Sequence, residues 1–232
     1  AEADQQLRLA AELDPQSAQP WLILARLQSA PAAALPLLEL ALQREPNSYE
    51  ALMMRARAQF DSKDSKGARD SLQRAAQANA KATEPLVQLG MNDEAEGRRN
   101  EARRHYLAAI ERDPHQPVAL NNLVMMGLAD KEDPARLEIM AKRAVKALPE
   151  VAAVHDTLAQ VLRLRKDKAG ALAAGQQAVK LAPKDPAMLL HLAELQQWNG
   201  DRTAARKSAE AVLALQAQGA DADKARTLLA RL

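Results

Sequence analysis

Few side chains in this 232-residue sequence are able to do chemistry, and their spacing limits what that chemistry can be. The four histidines are His105, His115, His155 and His191. No two of them lie three to five residues apart, so the spacing that lets one helix offer two imidazoles to a metal is missing, and no metal site is predicted. Cysteine is absent, which excludes disulfides and thiol nucleophiles and leaves the redox compartment open. The eight glycines are scattered singly, without a phosphate-cradling loop, a dinucleotide fingerprint or a nucleophile elbow. One carboxylate cluster stands out, Asp93, Glu94 and Glu96. Paired carboxylates can serve as acid and base. Here Arg98, Arg99, Arg103 and Arg104 follow directly, and a solvated salt-bridge cluster is predicted instead. The same arginines form a basic patch, but the adjoining acids offset it and the net charge is only +2. Two tryptophans, two tyrosines and one phenylalanine leave few platforms for base stacking, so nucleic acid is not an expected partner. No apolar run approaches the roughly 18 residues that cross a bilayer, so no membrane insertion is expected. These residues predict a chain that is not an enzyme and needs no cofactor.

The elements that carry these residues are helical. Alanine, leucine, arginine, glutamine and glutamate dominate, and all favour helix. Proline breaks the helical pattern at intervals. "ELDP" ends at Pro15, "QREP" at Pro46, "ERDP" at Pro114, "KALP" at Pro149 and "KLAP" at Pro183, in steps of 31, 68, 35 and 34. Half of 68 falls on Ala80, which closes "AAQANA" where a proline would stand, and Ala217 closes "VLALQA" in the same way. A further set, Pro20, Pro85, Pro117 and Pro186, sits where a new helix should start, the place that tolerates the missing N–H.

Within each interval a second pattern recurs. From Thr83, Leu86 takes a large apolar place, Leu89-Gly90 follows, then Ala102, Tyr106, Ala109 and Pro114. From Ala152, Leu158-Ala159 is followed by Ala171, Ala178 and Pro183, with His155 in the large apolar place and read as a packed neutral histidine. From Pro186, Leu192-Ala193, Gly200-Asp201 and Ala205 match, and from Tyr49 Ala56, Ala68, Leu72 and Ala75 do. Trp21 supplies a true tryptophan in the interval from Ala18. This arrangement resembles the tetratricopeptide repeat, whose period is 34. The resemblance implies an all-α fold, a right-handed α-solenoid of stacked antiparallel helix pairs, each with a helix A and a helix B. The frame reads as a half repeat over 1–17, repeats over 18–48, 49–82, 83–116, 117–151, 152–185 and 186–219, and a capping helix over 220–232. It forms one solenoid without a linker, of about fourteen helices.

Departures from the frame carry their own predictions. The repeat from Ala18 is three residues short between Gln28 and Ala34, so its inter-helix turn is expected to be tighter, with Pro31 in it and Pro36 in the first turn of helix B. The repeat from Pro117 has one extra residue, placed in the loop at "DKEDPAR". Asp93 stands where the repeat carries tyrosine, which suggests that its helix A ends early. "AEADQQLRLAAELD" fits a helix B alone, as though a longer chain had been cut there. "DADKARTLLARL" reads as an amphipathic helix with Ala225, Leu228, Leu229 and Leu232 on one face, suited to covering the last repeat.

In the family, helix A lines a concave face through positions 2, 5, 6, 9, 12 and 13. At positions 5, 6 and 9 this sequence carries Leu22, Ile23 and Arg26, then Met53, Met54 and Arg57, then Val87, Gln88 and Met91. It continues with Asn121, Asn122 and Met125, with Asp156, Thr157 and Gln160, and with Leu190, His191 and Glu194. Among these, Arg26, Met53, Met54, Arg57, Gln88, Met91, Asn121, Asn122, Met125, Gln160 and His191 are candidate contacts to a protein or peptide partner. Chaperone-binding relatives clamp a terminal carboxylate with lysine at position 5 and asparagine at 9, a pair that no repeat has here. Methionine-rich faces deform easily and suit varied apolar partners.

The stretch "ALNNLVMMGLADKEDPARLEIMAKRAVKALPEVAAVHDTLAQVL", and the chain onward to about residue 215, also resembles the late repeats of bacterial lipoproteins from exopolysaccharide-export and PEP-CTERM systems. Their usual Leu-Gly-Trp after Asp-Thr is Leu158-Ala159-Gln160 here. This resemblance implies a periplasmic scaffold in a secretion or polysaccharide assembly. A glycan-contacting scaffold and a cytoplasmic adaptor are the alternatives.

Overall fold

The computed structural model of the chain describes residues 2–215 and 218–232; Ala217, at the last predicted break, lies outside the described residues. Among the described residues every regular element is an α-helix. In the first compact unit, Ala1–Pro114, these are α1 (Glu2–Leu13), α2 (Gln19–Arg26), α3 (Pro31–Arg44), α4 (Tyr49–Asp61), α5 (Ser65–Ala78), α6 (Glu84–Ala95) and α7 (Arg99–Arg112). In the second, His115–Leu232, they are α8 (Pro117–Ala129), α9 (Pro134–Ala147), α10 (Ala152–Leu164), α11 (Lys168–Leu181), α12 (Pro186–Asn199), α13 (Arg202–Ala214) and α14 (Ala220–Leu229). Within each unit every helix packs on the next. In the second unit α8, α10, α12 and α14 also touch one another in turn, forming one layer of the stack. The all-helical solenoid architecture expected from the sequence is the one the chain adopts.

Local chemistry explains where the helices stop. Glu45, Asp113, Leu148 and Ala182 each precede a proline, and each leaves the helical region with φ between −124° and −134°. The ring of the following proline disfavours the α conformation in its predecessor. Asn79 has the same backbone (φ −130°, ψ 94°) before Ala80, so the break survives without its proline. Between the two helices of a pair the chain reverses through one left-handed residue: Lys63, Gly97, Lys131, Lys166 and Gly200, with φ of 64°, 74°, 56°, 61° and 90°. All five occupy position 15 of the repeat frame. Asp64, Asp167 and Asp201 then cap the second helix, their carboxylates accepting from the N–H of Gly67, Gly170 and Ala204 at 2.9 Å.

Small residues let the paired helices close. Ala56, Ala68 and Ala75 are fully buried in the α4–α5 pair, as are Ala102 and Ala109 on α7, opposite Gly90 of α6. A Cβ at Gly90 would overlap the ring edge of Tyr106, itself fully buried. Tyr106 donates its hydroxyl to Glu94 Oε2 at 2.6 Å, so the buried ring keeps its polar end satisfied. In the second unit Gly127 bears the same relation to Leu137.

Four expectations need correction. The three-residue deletion does not tighten the first inter-helix turn. Four residues, 27–30, separate α2 from α3, and the loss is taken from α2, which is 8 residues long against 12 to 14 for α4, α6, α8, α10 and α12. Helix α3 begins at Pro31, which places Pro36 beyond the first turn, inside the helix. The helix tolerates it because Pro36 and Ala32 both face solvent, where the Ala32 carbonyl that lacks its usual donor can be hydrated. His155 is only half-buried, its ring paired with the Pro149 carbonyl at 2.8 Å, rather than packed in the core.

The fourth correction concerns the carboxylate cluster. Helix α6 continues through Asp93 to Ala95, and Asp93 is fully buried rather than solvated. Its Oδ1 accepts from Arg69 of α5 and from Arg98 Nε at 2.9 Å, and its Oδ2 meets His105 Nδ1 of α7 at 2.7 Å. One carboxylate thus ties three helices together. Burial by itself would raise its pKa, but the hydrogen bonds from Arg69, Arg98 and His105 prevail and hold it below the usual carboxylate range.

Three stability changes should follow. Gly90→Leu overpacks the α6–α7 crossing and should cost about 1–3 kcal/mol or more in a urea melt; a wild-type midpoint would contradict the assigned crossing. Lys166→Gly relieves a left-handed non-glycine residue, and after the larger unfolded-state entropy of glycine should still gain about 0.5 kcal/mol. Asp93→Asn should cost about 3 kcal/mol at neutral pH, since it leaves Arg69 and Arg98 facing a neutral amide. Because the folded pKa of Asp93 lies below its unfolded value near ~3.9, the network stabilises above that pH and is lost as the pH falls through the folded value. The gap between wild type and Asp93→Asn should therefore close in acid.

Candidate functional site

On the first helix of each pair, position 5 points between helices: Leu22, Val87, Asp156 and Leu190 are buried, while Met53 and Asn121 are half-buried. Position 9 points outward. Arg26, Arg57, Met91 and Met125 are exposed, and Gln160 and Glu194 are half-buried. Position 6 lies between these limits, from exposed Ile23 to buried Thr157. The difference follows from the 3.6-residue turn: positions 8 and 11 lie on the packed side with 5 at its edge, while 2, 6, 9 and 13 form the stripe beside it.

In the first unit these residues gather around a groove of about 590 Å³. Its sides come from Gln28, Ser29, Pro31 and Ala34, from the α4 stripe of Tyr49, Met53, Met54, Arg57, Ala58 and Asp61, and from Glu84 and Gln88 of α6. Four candidate contacts, Met53, Met54, Arg57 and Gln88, are thus brought together. Met53 and Met54 lean on the buried cluster of Leu22, Leu38 and Leu52 while keeping part of their surface open. Arg26 reaches the rim by pairing with Glu50, and Arg57 Nε pairs with Asp61 at 2.9 Å. Gln88 Nε2 donates to Glu84 Oε1 at 3.1 Å. Met91 lies outside the groove, 51% exposed.

In the second unit Gln160 and His191 meet at one acid. Asp156, nearly closed from water, accepts from Gln160 Nε2 at 2.8 Å and faces His191 Nδ1 at 2.9 Å. The hydrogen bond to Asp156 raises the His191 pKa above its ordinary value against the opposing effect of burial, with the charges of Asp156, Glu194 and Asp221 adding to the rise. A small notch of about 90 Å³ opens beside them, rimmed by the Arg163–Glu194 ion pair at 3.0 Å. Asn121, Asn122 and Met125 sit on α8, apart from that notch. Met125 is 42% exposed, and its sulfur accepts from Thr157 Oγ1 of α10 at 3.5 Å. The Asn121 side-chain oxygen is closed from water without a hydrogen-bond partner.

The sequence reading of positions 5, 6 and 9 passed over Glu84 at position 2, Asp61 at 13 and Arg163 at 12, all of which line these openings. The outward stripe of a 3.6-residue helix would have found Glu84 and Asp61. The first-unit groove offers apolar surface edged by ion pairs, whereas the second-unit notch is lined mainly by polar and charged side chains.

Comparison with known proteins places this geometry. Tetratricopeptide-repeat family models match residues 27–90 and 135–186. A search of curated proteins finds no match. Among solved structures, PilF of Pseudomonas aeruginosa overlays with a TM-score of 0.73 at 17% identity, each chain covering 100% of the other. The Cut9–Hcn1 assembly of the APC/C gives a TM-score of 0.70 at 18% identity, covering 98% of this chain and 46% of that one, so this chain spans about half its length. YrrB, described as a TPR protein with an unusual peptide-binding site, gives 0.60 at 17% identity over 79% of this chain and 95% of its own. Likeness at these identities speaks to the fold alone. The chain carries tetratricopeptide repeats, and its fold is the all-helical solenoid of that family.

Proposed function

We propose that this chain is a non-catalytic adaptor, binding a peptide or protein segment on the exposed stripes of its first-helix faces. The observation that carries the reading is the exposure of large apolar side chains at positions 6 and 9. Ile23, Met91 and Met125 are 38%, 51% and 42% exposed, although leucines and alanines already fill the core behind them. Tetratricopeptide-repeat proteins are generally scaffolds, and YrrB shows in its own description that such a stack can hold a peptide. The repeat frame from Ala18 to residue 219, flanked by a half repeat and a capping helix, belongs to the same proposal.

The resemblance of the region beyond residue 119 to exopolysaccharide-export repeats supports a role as a periplasmic scaffold in a bacterial envelope assembly. No helix among the described residues is long and apolar enough to cross a membrane. A glycan-contacting role is less favoured. Arg44 covers the Trp21 ring and Lys168 the Trp198 ring, each at 5.4 Å, so one face of each ring already carries a cation.

Met91→Glu with Met125→Glu should shift stability by no more than about 0.5 kcal/mol, as expected for solvent-facing changes, and should abolish capture of the partner from an extract of the source cells. A collapsed melt would place these methionines in the core and end the reading. Tryptophan fluorescence should stay unchanged on titration with envelope polysaccharide; a saturable change would favour the glycan alternative. Osmotic-shock fractionation of the source cells should recover the protein with the periplasm, and recovery with the cytoplasm would favour the cytoplasmic adaptor.

A further inference from the structure

The groove in the first unit exists because α2 is short. Its eight residues end at repeat position 9, whereas α4, α6, α8 and α10 all run to position 13. About one helical turn is missing, roughly 6 Å of rod. Where that turn would have packed, the chain instead runs as the loop 27–30, and the flank of α4 opposite is left uncovered. Tyr49, Met53 and Met54 are half-buried there. The opening of about 590 Å³ lies within the size range of sites that enclose small ligands, enough for two or three side chains.

The charges around it are unequal. Glu50 is paired with Arg26 and Asp61 with Arg57, so two of the three rim carboxylates are neutralised. The third, Glu84, meets only the amide of Gln88 and has no cation among the described residues. It is exposed on the first residue of α6, beside the Tyr49 ring, whose pKa is raised first by burial and then by the Glu84 charge. The opening therefore combines an apolar, deformable floor with one carboxylate at its edge that pairs with no cation among the described residues.

We infer that this notch is a specificity pocket for a peptide segment in which a large aliphatic or aromatic side chain stands next to a lysine or arginine. The apolar side chain fills the space of the missing helical turn against Met53, Met54 and Tyr49, and the neighbouring cation pairs with Glu84. The inference rests on the adaptor reading and deepens it, since it names one pocket and the chemistry of its ligand. An acidic segment is disfavoured by Glu84, and a wholly polar one would strip water from the methionines without replacing it.

Random dodecapeptides displayed on phage, selected on the whole chain, supply the probe, and a selected peptide carrying fluorescein is then titrated by polarisation. Selected sequences should be enriched in an apolar residue flanked by lysine or arginine, with affinity that falls as salt rises. Glu84→Lys should weaken binding by about tenfold or more. Changing the peptide's lysine or arginine to glutamate should restore affinity for Glu84→Lys while weakening it for the wild type. Ser29→Trp, an exposed change that fills the notch from its rim, should remove binding of every such peptide. Thermal melts at the wild-type temperature keep both variants interpretable; if Ser29→Trp does not fold, the charge exchange at Glu84 decides alone. Selected peptides that bind equally to wild type and Glu84→Lys would overturn the pocket and leave the adaptor reading standing. Failure to select any peptide would overturn the pocket together with the peptide-binding form of that reading.

Discussion

Two helices of this chain can bury their apolar stripes only if their backbones come close, and at the tightest crossings that requires a small residue on at least one side. Gly90 against Tyr106, and Gly127 against Leu137, show how little room there is. The buried alanines of the pairs meet the same condition. Dispersion and hydrophobic terms reward this proximity, but each pair can satisfy only one face of a neighbour, so stability within each unit accumulates as a sum of local interfaces. The prolines, left-handed residues and aspartate caps are subordinate devices. They fix where a helix ends, so that small residues arrive at the crossings.

The polar interior is confined to a few sites, and its two buried carboxylates are held by hydrogen bonds from residues around them. Asp93 draws Arg69 from α5, Arg98 from the turn before α7 and His105 from α7 around one buried carboxylate. Asp156 draws Gln160 and His191 from two. Such a group costs desolvation that its partners must offset, so it adds less to stability than to the choice of one arrangement. In both cases a carboxylate on the first helix of a pair registers that helix against others. The arginines of the second helices have a related role. Arg44 reaches the Pro15 carbonyl, Arg74 that of Pro46, and Arg112 those of Ala76, Asn79 and Ala82, placing cations where helix ends leave acceptors unpaired.

What remains outside this packing is available to a partner. A residue one or four places further along the helix exchanges burial for exposure, which is why Leu22 is closed and Arg26 open, and why Leu190 is closed and His191 half-open. Where it is apolar the surface is edged by ion pairs. The groove beside α4 owes its size to a defect in one helix rather than to any residue it contains.

The helical class, the breaks at Pro46, Pro114, Pro149 and Pro183 and the small-residue crossings were legible in the sequence, because each follows from local backbone chemistry repeated at a fixed period. So was the outward direction of position 9, which depends only on helical periodicity. Other features were decided by tertiary structure. Whether a missing three residues shortens a turn or a helix depends on what the neighbouring pair permits, and here α2 gave way while the turn kept its length. Whether an acid beside four arginines is solvated depends on which of them lie across a helix interface. Arg69, 24 residues away, was invisible to a reading of neighbours, yet it is one of the groups that hold Asp93 in the core. Burial and charge pairing are properties of distance in space, and sequence supplies distance only along the chain.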